Sequence, residues 1–285
     1  MTRHYGYVQA DAMAPLRLGI SACLLGHEVR YDGGHKRDPF LAETLGRFVE
    51  WVPVCPEMEL GLGVPREPIR LEGDPAAPRL VAVNSRRDLT RAMTRLARAR
   101  AAELARLDLV GYVFKKDSPS CGMERVRVHG EGGRPLGRGT GLFARALMER
   151  LPLLPVEDEG RLHDAALRAR FIERVFAYAR WKGAVAAGMT RRRLAAFHAA
   201  HEPLLRAHHP TACRRLGALV ANAGKRPLRA VVADYGAGFM EALRTQAPPT
   251  GRRAPQRPAP PAPRRSPTAR PAASRPAPRR PRSSP

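Results

Sequence analysis

The sequence predicts an α/β protein, a mostly parallel, Rossmann-like sheet covered by helices, followed by a small all-α domain and a disordered tail. Three observations lead there. Short apolar, β-branched runs alternate with helix-spaced segments up to about residue 160, and strand-like runs then vanish up to about residue 243. From Pro248 onward proline and arginine dominate, and no aliphatic side chain is larger than alanine.

Residues 17–23, RLGISAC, read as a first strand that runs into a glycine-punctuated loop. Asp38 followed by Pro39 predicts a helix start, with the helix running to about Phe48. Residues 48–54 (FVEWVPV), 80–83 (LVAV), 109–114 (LVGYVF) and 153–158 (LLPVED) are the remaining predicted strands. Ser85 and Asp88 read as a capping box for a helix whose apolar face carries Leu89, Met93, Leu96, Leu104 and Leu107. Another helix starts near Thr140. Strands separated by helices imply crossover connections and hence parallel pairing. The expected boundaries are a disordered N-terminal extension over 1–15, an α/β domain over 16–160, a helical domain over 161–246 and a disordered Pro/Arg-rich tail over 247–285.

The formal charge is +24, of which the tail from Pro248 supplies +10 and the rest of the chain +14. A surplus of that size attracts polyanions through sequence-independent phosphate contacts. No apolar run reaches the roughly 18–20 residues of a membrane span, and the first fifteen residues lack the apolar stretch of a secretory signal. Four cysteines in such a chain fit a reducing, cytoplasmic setting better than a disulfide framework. No pattern specifies an oligomeric state.

Three cysteines carry the chemistry. Cys23 ends the first predicted strand, Cys55 ends the second, and Cys121 lies in the loop KKDSPSCG after the strand at 109–114. Ligands of open α/β sheets bind outside the carboxyl ends of the strands, so all three belong to one edge. Converging thiolates suit soft metals, and the absence of any close C-x₂₋₄-C pair argues against structural zinc. A 4Fe-4S cluster held by Cys23, Cys55 and Cys121 leaves one iron without a protein ligand, open to a substrate atom. Glu57 is placed to carry protons, and Ser118 and Ser120 flank Cys121. Asp32, Gly33 and Gly34 form a turn where a substrate can approach backbone. His198, His201 and His208 could share a helix face, but packing or RNA-facing roles are expected for them, and Cys213 reads as a lone helical thiol.

The segments SACLLGHEVRYDGGHK (21–36), VPVCPEMELGLGVPRE (54–67) and FKKDSPSCGMERV (114–126) resemble the TudS family of thiouracil desulfidases, over roughly residues 17–157. The resemblance implies a 4Fe-4S cluster on Cys23, Cys55 and Cys121, with the free iron binding the sulfur of a thiolated pyrimidine. Water then replaces that sulfur, and sulfide leaves without net redox change. It also implies catalytic roles for Glu57 and Ser118. FHAAHEPLLRAH (197–208) and RRLGALVANAG (214–224) resemble the YbgA-like helical domain of fused desulfidases that act on 4-thiouridine in tRNA. Domains of that kind continue past the match to FMEALR (239–244), whereas this chain changes there to proline and arginine. A shifted reading frame in GC-rich DNA, or a genuine basic extension, produces such a tail. The rival reading of the whole is a non-catalytic RNA-binding protein with a structural metal site.

Overall fold

The computed structural model describes residues 16–130 and 133–244, which fall within one compact unit. The predicted N-terminal extension and tail lie outside the described residues. A first sheet is entirely parallel, with strand order β2-β1-β5-β8. β1 (Leu16–Ser21) pairs on one side with β2 (Val49–Val54), Leu16 opposite Val49 and Ser21 opposite Val54. On its other side it pairs with β5 (Gly111–Phe114), and β8 (Val156–Asp158) lies beyond.

Every residue of β5 is buried, the pattern of a parallel strand covered on both faces. Tyr112 and Phe114 place their ring centroids 4.4 Å apart, and Phe143 meets Phe114 edge-on at 6.4 Å. Phe143 comes from α3 (Leu142–Arg150), which packs beside α2 (Thr90–Leu104). Met93, Ala97, Ala101 and Leu104 are the buried positions of α2, at the spacing of one helical face.

A second sheet has the order β4-β3-β6-β7. It consists of β3 (Ile69–Glu72), β4 (Arg79–Ala82), β6 (Val126–His129) and β7 (Pro135–Gly139), with β3 and β6 parallel and the outer pairs antiparallel. The LVAV strand expected within the α/β alternation is β4, so it belongs here and not to the parallel sheet. Strands β3, β6 and β7 have no counterpart in the sequence reading. Leu71, Leu80, Val126 and Val128 form a small separate core with Leu89, Met93 and Leu142.

Two local expectations change. The helix predicted over 39–48 is a π turn at Phe40–Thr44 and a 3-10 turn at Leu45–Arg47, although Asp38 Oδ1 does accept from the Leu41 amide at 3.0 Å. Gly46 sits against Trp51, and a Cβ there would be 3.1 Å from the indole nitrogen and 3.2 Å from the Leu41 carbonyl, so a side chain would crowd both. The capping box does not form either. Ser85 donates its hydroxyl to Glu67 at 2.5 Å, and Asp88 alone accepts from the Thr90 amide, at 2.8 Å.

Beyond β8 the chain is helical, with α4 (Glu159–Leu162), α5 (Ala165–Ala186), α6 (Arg191–His208), α7 (Pro210–Ala221) and α8 (Leu228–Arg244). Asp164 and Thr190 cap α5 and α6 by accepting from amides of the first turn. Trp181, Phe197, Tyr235 and Phe239 fill the space between these helices, in a core continuous with that of the parallel sheet. Gly111 permits the junction, since a Cβ there would stand 2.9 Å from Val175 on α5. Among the described residues no helix is long and apolar enough to cross a membrane.

Candidate active site

The order of the parallel sheet reverses at β1, so the crevice outside the carboxyl ends of β1 and β5 is its natural ligand site. Ser21 fastens the two strand ends together there, its hydroxyl accepting from the Lys115 amide at 3.0 Å. Cys23 sits in the 3-10 turn that follows β1, closed by Gly26 at φ 100°. The Lys36 amide donates to the Cys23 carbonyl at 2.9 Å and folds the next loop back over it. Cys55 is the first residue after β2, ahead of the single turn α1 (Pro56–Glu59), which carries Glu57. Its thiol lies 3.5 Å from Glu57 Oε2.

Cys121 is positioned by a turn that Ser118 organises. Ser118 Oγ accepts from the amides of Cys121, at 3.0 Å, and Ser120, at 3.3 Å, while its carbonyl accepts from Gly122 at 2.8 Å. A side chain at 122 would not pass, because a Cβ would stand 2.3 Å from Val126 and 2.8 Å from the Ser118 carbonyl.

All three thiols line one cavity of about 390 Å³, together with Glu57 and Ser118. They are free thiols, two buried and Cys55 half-buried. Burial pushes the Cys23 thiol up to about 11, with Lys115 pulling the other way. Burial and then the Glu57 carboxylate push Cys55 up to about 12. Cys121 is raised by burial first, then by Glu57, and it feels both other cysteines. Ionising all three therefore calls for positive charge among them, which a metal centre supplies. Among the described residues no three His, Cys, Asp or Glu side chains are gathered closely enough to hold a single metal ion.

The cavity wall is otherwise cationic. Arg30, Lys36, Arg66, Lys115 and Lys116 line it, against Glu57 and Asp117. Sequence reasoning missed these five, although Lys115 and Lys116 directly follow β5 and Arg66 closes the segment that begins at Cys55. Two of them are fixed from behind. Arg66 donates to the carbonyls of Gly63, at 2.7 Å, and Val29, at 2.9 Å. Lys115 meets the buried Glu159 carboxylate at 2.5 Å, and that carboxylate also accepts from the Lys116 amide at 2.7 Å.

The remaining predicted residues lie elsewhere. Ser120 is fully buried and does not line the cavity; its carbonyl accepts from the Phe143 and Ala144 amides at the start of α3. Asp32, Gly33 and Gly34 do form the expected turn, closed by Asp32 Oδ1 accepting from the Gly34 amide at 3.1 Å. That amide and then Arg30 hold the Asp32 carboxyl below its usual range. The turn stands outside the cavity wall and presents its neighbours Arg30 and Tyr31 instead. The three histidines share no site: His198 lies 3.1 Å from the Tyr235 hydroxyl, His201 stacks on Phe197, and His208 is 2.6 Å from Glu173.

Three free thiols, a carboxylate and a hydroxyl, gathered at the switch point of a parallel sheet, define an α/β protein with a thiol-centred site. The profile of the 2-thiouracil desulfurase family matches residues 18–159, and the chain belongs to that family. A second profile, described as a protein of unknown function (DUF1722), matches residues 203–253. The chain is 30% identical over 111 residues to the uncharacterized protein YbbK of Bacillus subtilis (strain 168), covering 36% of this chain and 71% of that one. Among solved structures, a [4Fe-4S]-dependent thiouracil desulfidase, TudS, is 30% identical over 54% of this chain and 97% of its own, with a TM-score of 0.43.

Proposed function

We propose that this protein is a 4Fe-4S-dependent desulfidase that removes sulfur from thiolated pyrimidines, including 4-thiouridine in tRNA, with release of sulfide. The carrying observation is that Cys23, Cys55 and Cys121, from three distant segments, line the same cavity as Glu57 and Ser118. The donor set fits the cluster. It is all thiol, the three thiols line one cavity, and no fourth cysteine stands in its wall. When bound, such a cluster supplies a Lewis-acidic iron with affinity for a soft sulfur atom.

The protein's own groups complete the chemistry. Exchange of a thiocarbonyl for a carbonyl consumes one water and yields hydrogen sulfide, so protons move but no electrons are gained or lost. Glu57 Oε2, already beside Cys55 Sγ, takes a proton from the attacking water and returns it to the departing sulfur. Ser118 Oγ spends its acceptor capacity on two amides, leaving its own O–H to donate into the cavity. The cationic wall stabilises the negative charge that develops on the ring during attack. Four free cysteines fit a cytoplasmic setting, where thiols stay reduced.

Anaerobic reconstitution with iron and sulfide tests this reading. A brown protein that bleaches the thiocarbonyl absorbance of 2-thiouracil, or of tRNA containing 4-thiouridine, is the expected result. A colourless, zinc-loaded protein that binds RNA without turnover would instead establish the non-catalytic alternative, which the basic composition favours.

A further inference from the structure

We propose that the outward face of the second sheet is a docking track for the phosphodiester backbone of a single-stranded stretch of RNA whose thiolated base enters the thiol cavity. The inference rests on the desulfidase reading for what the cavity does, and on the sheet alone for where the strand lies. In the register of β3 and β6, Leu71 pairs with Val128 in the small core, which puts Arg70 and Arg127 on the opposite face together with Glu72, itself buried beneath its arginine partners. Arg138 of β7 stands directly opposite Arg127, and Arg79 of β4 opposite Glu72.

Glu72 is the one acid in these four strands, and its charge is already used. Arg86 reaches it at 2.6 Å, Arg70 at 2.7 Å and Arg79 at 3.9 Å. Arg127 and Arg138 have no carboxylate partner among the described residues; Arg138 donates only to the Arg125 carbonyl, at 3.0 Å. Two arginines directly opposite across an antiparallel pair repel each other. The fold tolerates that repulsion on an open face, where an external anion relieves it.

This face adjoins the thiol cavity. A hollow of about 360 Å³ carries Arg70, Arg127 and His129 in its wall, and shares Ile69, Asp117 and Pro119 with the cavity that holds the cysteines. From Arg79 on β4 to Arg138 on β7 the cations span four strands, about 14 Å at ~4.8 Å per strand spacing. One phosphate group does not reach across that width. Successive phosphates of a strand do, and they leave a base at one end beside the cavity mouth.

The test compares wild type with the charge-reversal variant R127E/R138E and the milder R127Q/R138Q, all as the full chain. Both positions are exposed, and a thermal unfolding midpoint checks that the variants fold. Binding of a 12-nucleotide RNA containing one 4-thiouridine is followed by fluorescence anisotropy across a potassium chloride series. Loss of two phosphate contacts should make the log–log salt slope shallower by about 1.4 and weaken binding at least tenfold in R127E/R138E, at ~0.7 per contact for a single strand. The glutamine pair should move in the same direction by less. In turnover, kcat/KM for the RNA should fall at least ten times further than kcat/KM for free 2-thiouracil. An unchanged slope and affinity would overturn the track. So would an equal loss of affinity for 4-thiouridine monophosphate, which would reduce the face to a single phosphate site. Because the slope is read without turnover, a wild type that desulfurises nothing defeats the desulfidase reading while the slope still decides the track.

Discussion

The two sheets of this molecule use strands of similar length for opposite purposes. In the parallel sheet the central strand β5 is buried on both faces, and the three thiols of the cavity stand beyond the strand ends, held by turns such as the one Ser118 closes around Cys121. The second sheet keeps one face in a small apolar core and turns arginines outward along the strands themselves. A rigid, two-sided core positions groups that must meet within one cavity. A half-exposed sheet distributes charge over a broad area at little structural cost. Positioning and recognition are therefore separable in this fold, and each can be removed by itself.

The sharpest separation comes from Cys121→Ser. Removing one of the three thiols should abolish iron retention after reconstitution and lower turnover by about a thousandfold or more, ~4 kcal/mol on the barrier. RNA affinity should hardly change. Cys213→Ser is the matched control, since that buried thiol lies on α7 with its Sγ 3.8 Å from the Glu202 carbonyl and outside the cavity. Iron content after desalting checks both variants, and iron retained by Cys121→Ser would remove that residue from the ligand set.

Next in size is the difference in packing. Phe143→Ala deletes a fully buried ring that meets Tyr112 at 6.0 Å and Phe114 at 6.4 Å, and should cost about 3–5 kcal/mol in urea unfolding. Leu136→Ala on β7, whose side chain is 59% exposed, should stay within about 0.5 kcal/mol. Comparable losses at the two positions would deny the contrast between a packed sheet and an open one.

The same contrast decides what the sequence could reveal. Cys23, Cys55 and Cys121 were legible because each follows a compact apolar run, and the carboxyl edge of a parallel sheet is fixed once those runs are identified as strands. IRLE, VRVH and PLGRG were not legible. Each is four or five residues long and carries arginine, and the parallel pairing of β3 with β6 joins residue 71 to residue 128, which no local pattern encodes. Ser85 misled for a related reason, since its partner Glu67 lies 18 residues away. The cationic wall went unnoticed because Arg30, Lys36 and Arg66 become neighbours of the thiols only when three loops close over one crevice. The placement of residues at strand ends can be read from sequence; assembly across the β3–β6 pair depends on distant pairing.

The smallest effect tests the charge balance of the second sheet, and its sign differs between stability and binding. Hydrogen bonds from Arg86, then Arg70, hold the buried Glu72 carboxyl down at about 2, well below its ordinary value of 4.5. A carboxyl depressed in the folded state stabilises the protein fully above about pH 4.5, and that contribution fades as the pH falls towards 2. Glu72→Gln keeps an acceptor but loses the charge, so it should cost about 1–2 kcal/mol at neutral pH. Its deficit relative to wild type should shrink on acidification through that window. The substitution also frees Arg86 and Arg70 and adds one net positive charge to the outward face. RNA should then bind more tightly and with a steeper salt dependence, opposite in direction to R127E/R138E. A variant that is less stable yet binds RNA better would show that Glu72 restrains the arginines it organises. Weaker binding with an unchanged slope would mean instead that the carboxylate only orients them.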